Sequence, residues 1–462
     1  MNMRMFGRHE HPGGDVFRNA PEGWSAVRLR FLLRDGYEGL KIGPFGSQLT
    51  SEMLVDGGPY KVYGQENVIA SNFIRGDRYI SEGKFDELSV YEVTPGDLLI
   101  TMMGTSGRCE VVPGDAVRGI MDSHLLRMRL NPSVLAEFVR LLIDEAPYVA
   151  LQVHVAGKGS IMHGLNSSIV KNLCLLVPPL GIQGQLLQFL ESETTKIDSL
   201  VDEQKRLIEL LKEKRQAVVS QAVTKGLDPS VPMKDSGVDW LGEVPAHWRV
   251  GSAGFYVSIL SGYAFPSNGF SANEESPKLL RGINVGVSRL RWDEVVYWDR
   301  SPRDGLDEYE LKEGDLVIGM DRPLIAGGMR VAKVSSDDLP CLLLQRVASI
   351  TTHSPLNSDF LHCLLSSDFF VAHFSPETTG VSVPHISPEQ IQRFKIPVPP
   401  VHEQTAIVKR VHRVATSFDE LMAEAIQAIE LLQERRSALI SAAVTGKIDV
   451  RGLVPQPEAL AA

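Results

Sequence analysis

The chain has 462 residues, of which 43% are hydrophobic and 23% charged, and its 57 acidic and 47 basic residues give a formal net charge of −10. At roughly 100 to 200 residues per domain, this length predicts about three domains and excludes a single small module. The acidic balance argues against a protein that coats nucleic acid with a basic surface all over, although a local basic groove stays compatible with it.

The cysteine pattern and the hydropathy exclude further classes. Cys109, Cys174, Cys341 and Cys363 are too widely spaced for a disulfide scaffold or a structural zinc site. No run approaches the roughly 18 apolar residues of a membrane span, and residues 1–15 lack the apolar core of a signal peptide. We therefore expect a soluble protein of the reducing cytoplasm.

In chain order, the patterns predict an α+β protein in which two globular segments alternate with two long helices. Short strands are expected at 98–101, 295–298 and 316–318, and a helix at 134–145. The predicted segments are an N-terminal tail (1–20), a first globular segment (21–180), a long helix (181–228), a linker with a second globular segment (229–398), a second long helix (399–450) and a C-terminal tail (451–462).

The two halves are an internal repeat. Residues 178–228 align with residues 399–449 without a gap, and 19 of the 51 positions are identical, where background composition would give about three. The similarity weakens upstream but keeps its order, since Trp24 has a counterpart in Trp248. The length is therefore a duplication with a pseudo-twofold relation, and not the sum of three unrelated domains.

Both repeated segments are predicted to be helices with one apolar stripe. A proline pair precedes each helix and a glycine follows it, as is typical of helix starts and ends. Two related stripes in one chain can cover each other as a coiled coil, while the alternative is that each packs only on its own globular segment. The stripe residues are Leu186, Leu190, Ile197, Leu200, Leu207 and Leu211 in the first helix and Ile407, Val411, Val414, Phe418, Leu421 and Leu432 in the second.

Catalytic motifs with the required spacing are absent from the sequence. Gly446-Lys447 lacks the first glycine and the hydroxyl residue of a phosphate-binding loop, and no Gly-x-Gly-x-x-Gly follows a strand. The motifs Asn/Asp-Pro-Pro-aromatic, His-Glu-x-x-His and Gly-x-Ser-x-Gly do not occur either. No catalytic residue and no metal ligand is predicted, which leaves binding as the expected chemistry.

Several glycine-rich windows contain cations and small polar residues but no acid, at similar places in both halves. Such loops suit DNA, because Lys and Arg neutralise phosphates while Arg, Asn, Gln, Ser and Thr read base edges. The alternative is an ordinary solvated loop. The candidate DNA contacts are Lys41, Ser47, Gln48, Thr105, Ser106, Arg108, Lys158, Ser160 and His163 in the first half, and Tyr263, Lys278, Arg281, Asn284, Arg289, Arg322 and His385 in the second.

Nearly the whole chain resembles the specificity (S) subunits of type I restriction-modification systems. The most specific stretch is AVTKGLDP (222–229) followed by MKDSGVDWLGEVPAHW (233–248), with SAAVTGKIDV at 441–450. KIGPFGSQL (41–49) and GDLLITMMGTSG (96–107) resemble recognition-domain motifs. The second half departs from this glycine pattern, because GYAFPS (262–267) stands where the first half has GPFGS.

The resemblance implies two target recognition domains, each reading one half of a split, asymmetric DNA site, separated by two long antiparallel helices that set the spacer. It further implies two methyltransferase (M) subunits docked on the helices and two restriction (R) subunits, in a host-defence complex. S-adenosylmethionine, ATP and Mg²⁺ are expected on those partners and no cofactor on this chain. Two alternatives stay open: a self-contained DNA methyltransferase or nuclease with unfamiliar motifs, and a coiled-coil scaffold that binds only protein.

Overall fold

The computed structural model describes residues 14–103, 107–157, 165–325, 328–368, 370–371 and 385–453. The chain divides into two units, one formed by Met1–Glu203 with Ala428–Ala462 and the other by Gln204–Gln427. Both dividing lines cross the long helices, so each unit contains one globular segment and half of each helix.

The first unit is built on two four-stranded sheets. One has the order β2-β9-β6-β7 and is antiparallel, and the other has the order β4-β3-β8-β5 with β3 and β8 parallel. The strands are β1 (Ser25–Arg28), β2 (Leu40–Ile42), β3 (Tyr60–Tyr63), β4 (Tyr79–Ile80), β5 (Glu92–Val93), β6 (Leu98–Thr101), β7 (Cys109–Val111), β8 (Gly119–Met121), β9 (Leu125–Met128) and β10 (Cys174–Val177). The helices are α1 (Gly14–Arg18), α2 (Gln65–Ile69), α3 (Glu82–Glu87), α4 (Ala136–Glu145), α5 (Pro147–Gly157), α6 (Ser167–Asn172) and the first long helix, α7 (Leu180–Lys225).

The second unit repeats the central sheet as β14-β21-β16-β19, again antiparallel, and repeats the parallel pair as β15 with β20. The strands are β11 (Met233–Asp235), β12 (Glu243–Pro245), β13 (Arg249–Ser252), β14 (Val257–Ser261), β15 (Lys278–Leu280), β16 (Leu316–Gly319), β17 (Leu324–Ile325), β18 (Gly328–Met329), β19 (Val331–Lys333), β20 (Cys341–Leu343), β21 (Val347–Thr352) and β22 (Lys395–Val398). The helices are α8 (Ser358–Leu365), α9 (Pro388–Arg393) and the second long helix, α10 (Val401–Val444).

The predicted α+β fold with paired long helices is confirmed, and the pairing repeats itself within each unit. In the first unit Arg436 Nε lies 3.1 Å from Asp198 Oδ1, and in the second Arg215 Nε lies 3.5 Å from Asp419 Oδ1. Asp198 and Asp419 are equivalent in the repeat, and so are Arg215 and Arg436. The two ion pairs are therefore one contact made twice, in an antiparallel register.

Each pair of half-helices also packs on its globular segment. Leu186 and Leu190 of α7 share the core of the first unit with Val444 of α10, while Val223 and Val411 share the core of the second. Both alternatives for the apolar stripes are thus realised together. The stripe is not covered along its whole length, because Leu200, Leu207 and Leu421 are exposed and Leu211, Phe418 and Leu432 are only partly buried.

A glycine follows each long helix and lies close to an aromatic or proline ring, Trp248 for Gly226 and Pro21 for Gly446. Gly226 (φ +79°) follows α7 and Gly446 (φ +72°) follows α10, as is typical of left-handed helix caps. A Cβ on Gly226 would lie 3.2 Å from the ring of Trp248, and one on Gly446 would lie 2.3 Å from Pro21. Glycine is required at both positions by its backbone conformation, and at Gly446 also by space.

Two local expectations need correction. Residues 295–298 do not form a strand, because only Tyr297 makes isolated bridges, to Ser271 and Lys278. Part of the predicted N-terminal tail is ordered: α1 packs on the first unit, with the ring of Phe17 edge-on to Tyr148 at 5.7 Å. No helix in the described part of the chain has the length and apolar character of a membrane span.

Candidate nucleic-acid interface

The residues after β2 and β6, the turn before β9 and Leu165 meet at one end of the central strands in the first unit. Gly43, just after β2, donates its N–H to Leu125 O at 3.1 Å. Met102, just after β6, donates to His124 O at 2.9 Å, and Leu165 donates to Met102 O at 3.1 Å. We call this arrangement the loop junction of the first unit.

The second unit contains the same junction with the same hydrogen bonds. Gly262 donates to Val347 O at 2.9 Å, Met320 donates to Arg346 O at 2.9 Å, and Ile386 donates to Met320 O at 2.9 Å. Arg346 therefore occupies the position of His124, and Gly262 that of Gly43. The alignment of the GYAFPS segment with GPFGS, made from sequence, agrees with this geometry.

Glycine is required at the base of each junction by close backbone contact. A Cβ on Gly43 would lie 1.8 Å from Asp122 O, and a Cβ on Gly262 would lie 2.2 Å from Leu344 O. Real Cβ atoms do not approach backbone oxygen so closely, so any other residue would push the loop away from the turn beside it. The glycines thus fix the turns that carry His124 and Arg346.

The junction of the second unit is rich in cations around one carboxylate. Arg346 Nη1 lies 3.0 and 3.1 Å from the two oxygens of Asp321, and His385 Nδ1 lies 2.7 Å from Oδ1. Burial acts to raise the pKa of Asp321, but hydrogen bonds from His385 and Arg346 outweigh it and hold that pKa below its usual value. Arg330 donates to Asp321 O at 3.3 Å, and the neighbouring Arg322 is exposed.

The junction of the first unit contains a more neutral network. Asp122 accepts from Arg78 at 3.0 Å, and Arg78 also pairs with Glu66 at 2.6 Å. The backbone N–H of His124 donates to Asp122 at 2.9 Å, and the imidazole Nδ1 lies 3.8 Å from the same carboxylate. The side chain of His124 is half exposed.

The candidate contacts of the first half lie in different settings. Lys41 is on β2 with its ammonium 5.7 Å from the ring centre of Tyr91, and Gln48 is exposed, with its Oε1 accepting from Tyr91 at 3.2 Å. Ser47 is exposed beside Gln48. Arg108 is half exposed and pairs with Asp144 at 3.2 Å. The remaining candidates, Thr105, Ser106, Lys158, Ser160 and His163, lie outside the described residues.

In the second half, the structure brings Tyr263, Arg322 and His385 to the loop junction. Tyr263 follows Gly262 and is 42% exposed, with its ring 5.0 Å from that of Phe265. Arg322 is two residues after Met320 and His385 directly precedes Ile386, and Met320 and Ile386 make the hydrogen bonds of the junction.

Among the other candidates of the second half, Asn284 is engaged within its own turn. Asn284 is buried, its Oδ1 accepts from Arg281 N, and its Nδ2 donates to the carbonyls of Arg291 and Glu294. Its amide is therefore fully used to hold the turn, and the DNA contact of Asn284 stays a prediction.

Lys278 and Arg281 are also engaged, whereas Arg289 is exposed. The ammonium of Lys278 donates to Asp337 O at 2.9 Å, and the guanidinium of Arg281 donates to Glu294 O at 2.8 Å. These two cations stabilise loops, and their charge stays at the surface.

Sequence reasoning missed His124, Arg346 and Asp321. Each follows the end of a strand or precedes the start of one, outside the glycine-rich acid-free windows that guided the search. The available signal was the repeat itself, because an offset of 222 residues relates Arg346 to His124 and also Val347 to Leu125.

Metal and redox chemistry have no visible site in the part of the chain that the structure describes. No cluster of three or more His, Cys, Asp or Glu side chains with the geometry of a metal site occurs there. All four cysteines are free and buried, and burial raises the pKa of Cys109 well above its usual value. A thiol with a raised pKa is a poor nucleophile near neutral pH.

Comparison with known proteins points to one family. Residues 287–431 match the type I restriction modification DNA specificity domain. The type I restriction enzyme MjaVIII specificity subunit of Methanocaldococcus jannaschii is 27% identical over 387 residues, covering 81% of this chain and 85% of the relative.

Two solved structures share the fold. One is a chain from a type I R-M system with a TM-score of 0.70 and 15% identity, covering 93% of this chain and all of that one. The other is the HsdS subunit of Thermoanaerobacter tengcongensis, with a TM-score of 0.54 and 16% identity, covering 93% and 98%.

Proposed function

We propose that this chain belongs to the family of type I restriction-modification specificity subunits, and that its two units read the two halves of a bipartite DNA site. The single observation that carries this proposal is the loop junction, which is built twice with the same hydrogen bonds but different side chains. The same frame lets each unit present loops to a groove, and the different residues give each half-site its own sequence. An asymmetric target follows.

DNA affinity in this proposal comes from cations that the fold keeps at the surface. Arg289 and Arg322 are exposed in the second unit, and Arg346 is 60% exposed. Phosphate contacts position a protein on the duplex, while base contacts in the groove provide sequence information. The chain therefore recognises DNA without a catalytic group of its own, and chemistry belongs to partner subunits that hold S-adenosylmethionine, ATP and Mg²⁺.

The direct test maps methylated adenines across a genome in cells that express this chain with its methyltransferase partner. We expect one recurring motif made of two defined halves and a fixed undefined spacer. A single contiguous motif would contradict two-unit reading. If the purified chain alone transferred methyl groups from S-adenosylmethionine or cut DNA, the alternative of a self-contained enzyme would replace this proposal. If expression of the chain with its partner left the genomic methylation pattern unchanged, a protein-binding scaffold would be favoured.

We further propose that the paired long helices set the length of that spacer. The register that joins Asp198 to Arg436 and Arg215 to Asp419 supports a defined helix pair. Inserting one heptad into both helices at paired positions adds about 10 Å, or roughly three base pairs. Methylation mapping should then show a longer spacer with unchanged halves. A heptad in α7 alone is the control, since it breaks the register, and an unchanged spacer in the double insertion would refute the idea.

Methyltransferase docking has candidate surfaces on the same helices. Leu210 in the second unit is 52% exposed, and its repeat equivalent Leu431 in the first unit is 59% exposed. Exposed leucines at equivalent positions suit two copies of one partner, because each copy would find the same surface.

Substitution of these leucines tests the docking proposal. We expect L210D and L431D each to lose one of two bound methyltransferase subunits in native mass measurements, and the double variant to lose both. The control is Q433D, at an exposed polar position of α10. Two subunits bound to the double variant would refute this docking site. Restriction subunits would join the methyltransferase complex.

A further inference from the structure

The two junctions contain equivalent turns, and each turn presents one polar side chain at the same position, His124 in the first unit and Arg346 in the second. The backbone carbonyls of His124 and Arg346 accept the N–H of Met102 and Met320, both at 2.9 Å. Both turns are braced by a glycine whose Cβ would collide with backbone. The positions are thus fixed by the fold, while the side chains differ between the units.

Both side chains are open to solvent, and that of Arg346 is held by a carboxylate. Asp321 contacts the guanidinium of Arg346 with both oxygens, and Asp122 lies beside the imidazole of His124. Ion pairs at such exposed places add little stability. An exposed arginine held in one orientation is therefore better explained by what it can bind than by what it stabilises.

The backbone of the second junction is unusual for arginine. Arg346 has a φ of +72° and Arg322 a φ of +45°. Residues with a side chain rarely adopt this left-handed region, and such conformations persist where the surrounding structure enforces them, often at ligand sites. Here Met320 N fixes the carbonyl of Arg346, and the pair with Asp321 fixes its side chain.

On the basis of the proposed function, we propose that Arg346 reads a guanine in the half-site of the second unit and that Asp321 is the positioning residue for its guanidinium. Arginine donates two parallel hydrogen bonds to O6 and N7 of guanine in the major groove, which no other base accepts in that pattern. His124 occupies the equivalent position in the first unit, but its imidazole offers different hydrogen-bond donors from the guanidinium of Arg346. The two halves of the target then differ at this position because the two side chains differ.

The experiment uses the full chain with its methyltransferase partner and measures the methylated sequence at every position of both halves. R346G removes the side chain, and glycine suits the left-handed backbone, so the fold is kept. We expect discrimination at one base pair of one half to fall by roughly 10- to 100-fold, with the other half unchanged. H124A should change only the opposite half.

Three variants separate base reading from other roles. R346K keeps the positive charge but loses the two parallel donors, so it should show the same loss of discrimination at that base pair as R346G. D321N should relax that base pair partially, because the guanidinium is less well held. R303A is the matched control, since Arg303 is exposed in the same unit with a φ of +65° but lies outside the junction, and it should leave the motif intact.

The outcomes distinguish this inference from the proposed function. If R346K restores the parent motif, or if R346G weakens methylation equally at all sequences, Arg346 contacts a phosphate and the inference is wrong. If R303A relaxes the same base pair, the effect is not specific to the junction and the inference also fails. If the parent complex shows no two-part motif, the proposed function has failed before any variant is measured.

Discussion

One buried glutamine fastens each long helix to its globular segment, and its removal gives a clear stability prediction. In the second unit Gln404 Oε1 accepts the N–H of Asn357 at 2.7 Å, and Nε2 donates to Pro355 O and Pro399 O, both at 2.8 Å. The side chain is fully buried. Gln183 makes the equivalent contacts in the first unit, with Leu135, Ser133 and Pro178.

Replacing Gln404 with methionine keeps the size of the side chain but removes all three hydrogen bonds. Each is worth about 1 kcal/mol net, and a buried group left without a partner costs about 1 to 3 kcal/mol. Q404M should therefore lower the free energy of unfolding of the second unit by about 3 kcal/mol or more. Denaturant unfolding measures this, and hydrogen exchange should report faster opening at the start of α8, where Asn357 is the N-cap.

The matched control is Q427M, at an exposed glutamine of the same helix. It should change stability by less than about 0.5 kcal/mol, as is usual for surface substitutions. Equal stability of Q404M and Q427M, with unchanged exchange at α8, would refute the reasoning. It would mean that the hydrogen bonds of Gln404 are replaced elsewhere at no cost.

Two further predictions concern a helix cap and a buried histidine. G96A should cost roughly 1 kcal/mol, because alanine is strained in the left-handed backbone of Gly96. G446A should destabilise the first unit by clearly more, because its new methyl group would also collide with Pro21. Equal shifts of the melting temperature in the two variants would contradict this. Burial, aided by the charge of Lys333, holds the pKa of His362 below its usual value. The folded protein therefore favours the neutral imidazole, and this contribution to the free energy of unfolding is fully present above pH 6.5. It should be lost as the pH falls below 6.5, by at most about 1.4 kcal/mol per pH unit. H362Q should remove this part of the pH dependence of unfolding, and an identical profile for the two proteins would count against it.

The long helices could be predicted from sequence because their signal is local and repeated. An apolar stripe over more than forty residues, a proline pair before it and a glycine after it are all read directly from the chain. The partner and register of each stripe are tertiary facts. The repeat predicted that the two stripes pair and the family resemblance implied their antiparallel direction, but the contact of Asp198 with Arg436 is visible only in the structure. The exposed leucines show where periodicity overestimates burial.

The candidate site could be predicted only in part, because side-chain reach depends on turns. The candidates chosen from sequence include Tyr263 and Arg322, which the structure places at the loop junction, and also Asn284, whose amide is used inside its own turn. Arg346 lies beside glutamine at the start of β21 and offers no compositional signal. Its backbone conformation and its pair with Asp321 set it apart, and neither is visible in a sequence.

The net charge of −10 is compatible with DNA recognition because charge is distributed unevenly between the two junctions. In the first unit Arg78 is offset by Asp122 and Glu66, so the junction contributes shape and hydrogen bonds more than charge. In the described part of the second junction Asp321 faces several cations, and burial, together with Arg291 and Arg322, lowers the pKa of Arg330. Mutual repulsion among these arginines raises the free energy of the DNA-free protein, and binding of a phosphate group would relieve that repulsion. The second unit should therefore supply most of the electrostatic affinity, and the first unit should depend more on the fit of its loops to the groove.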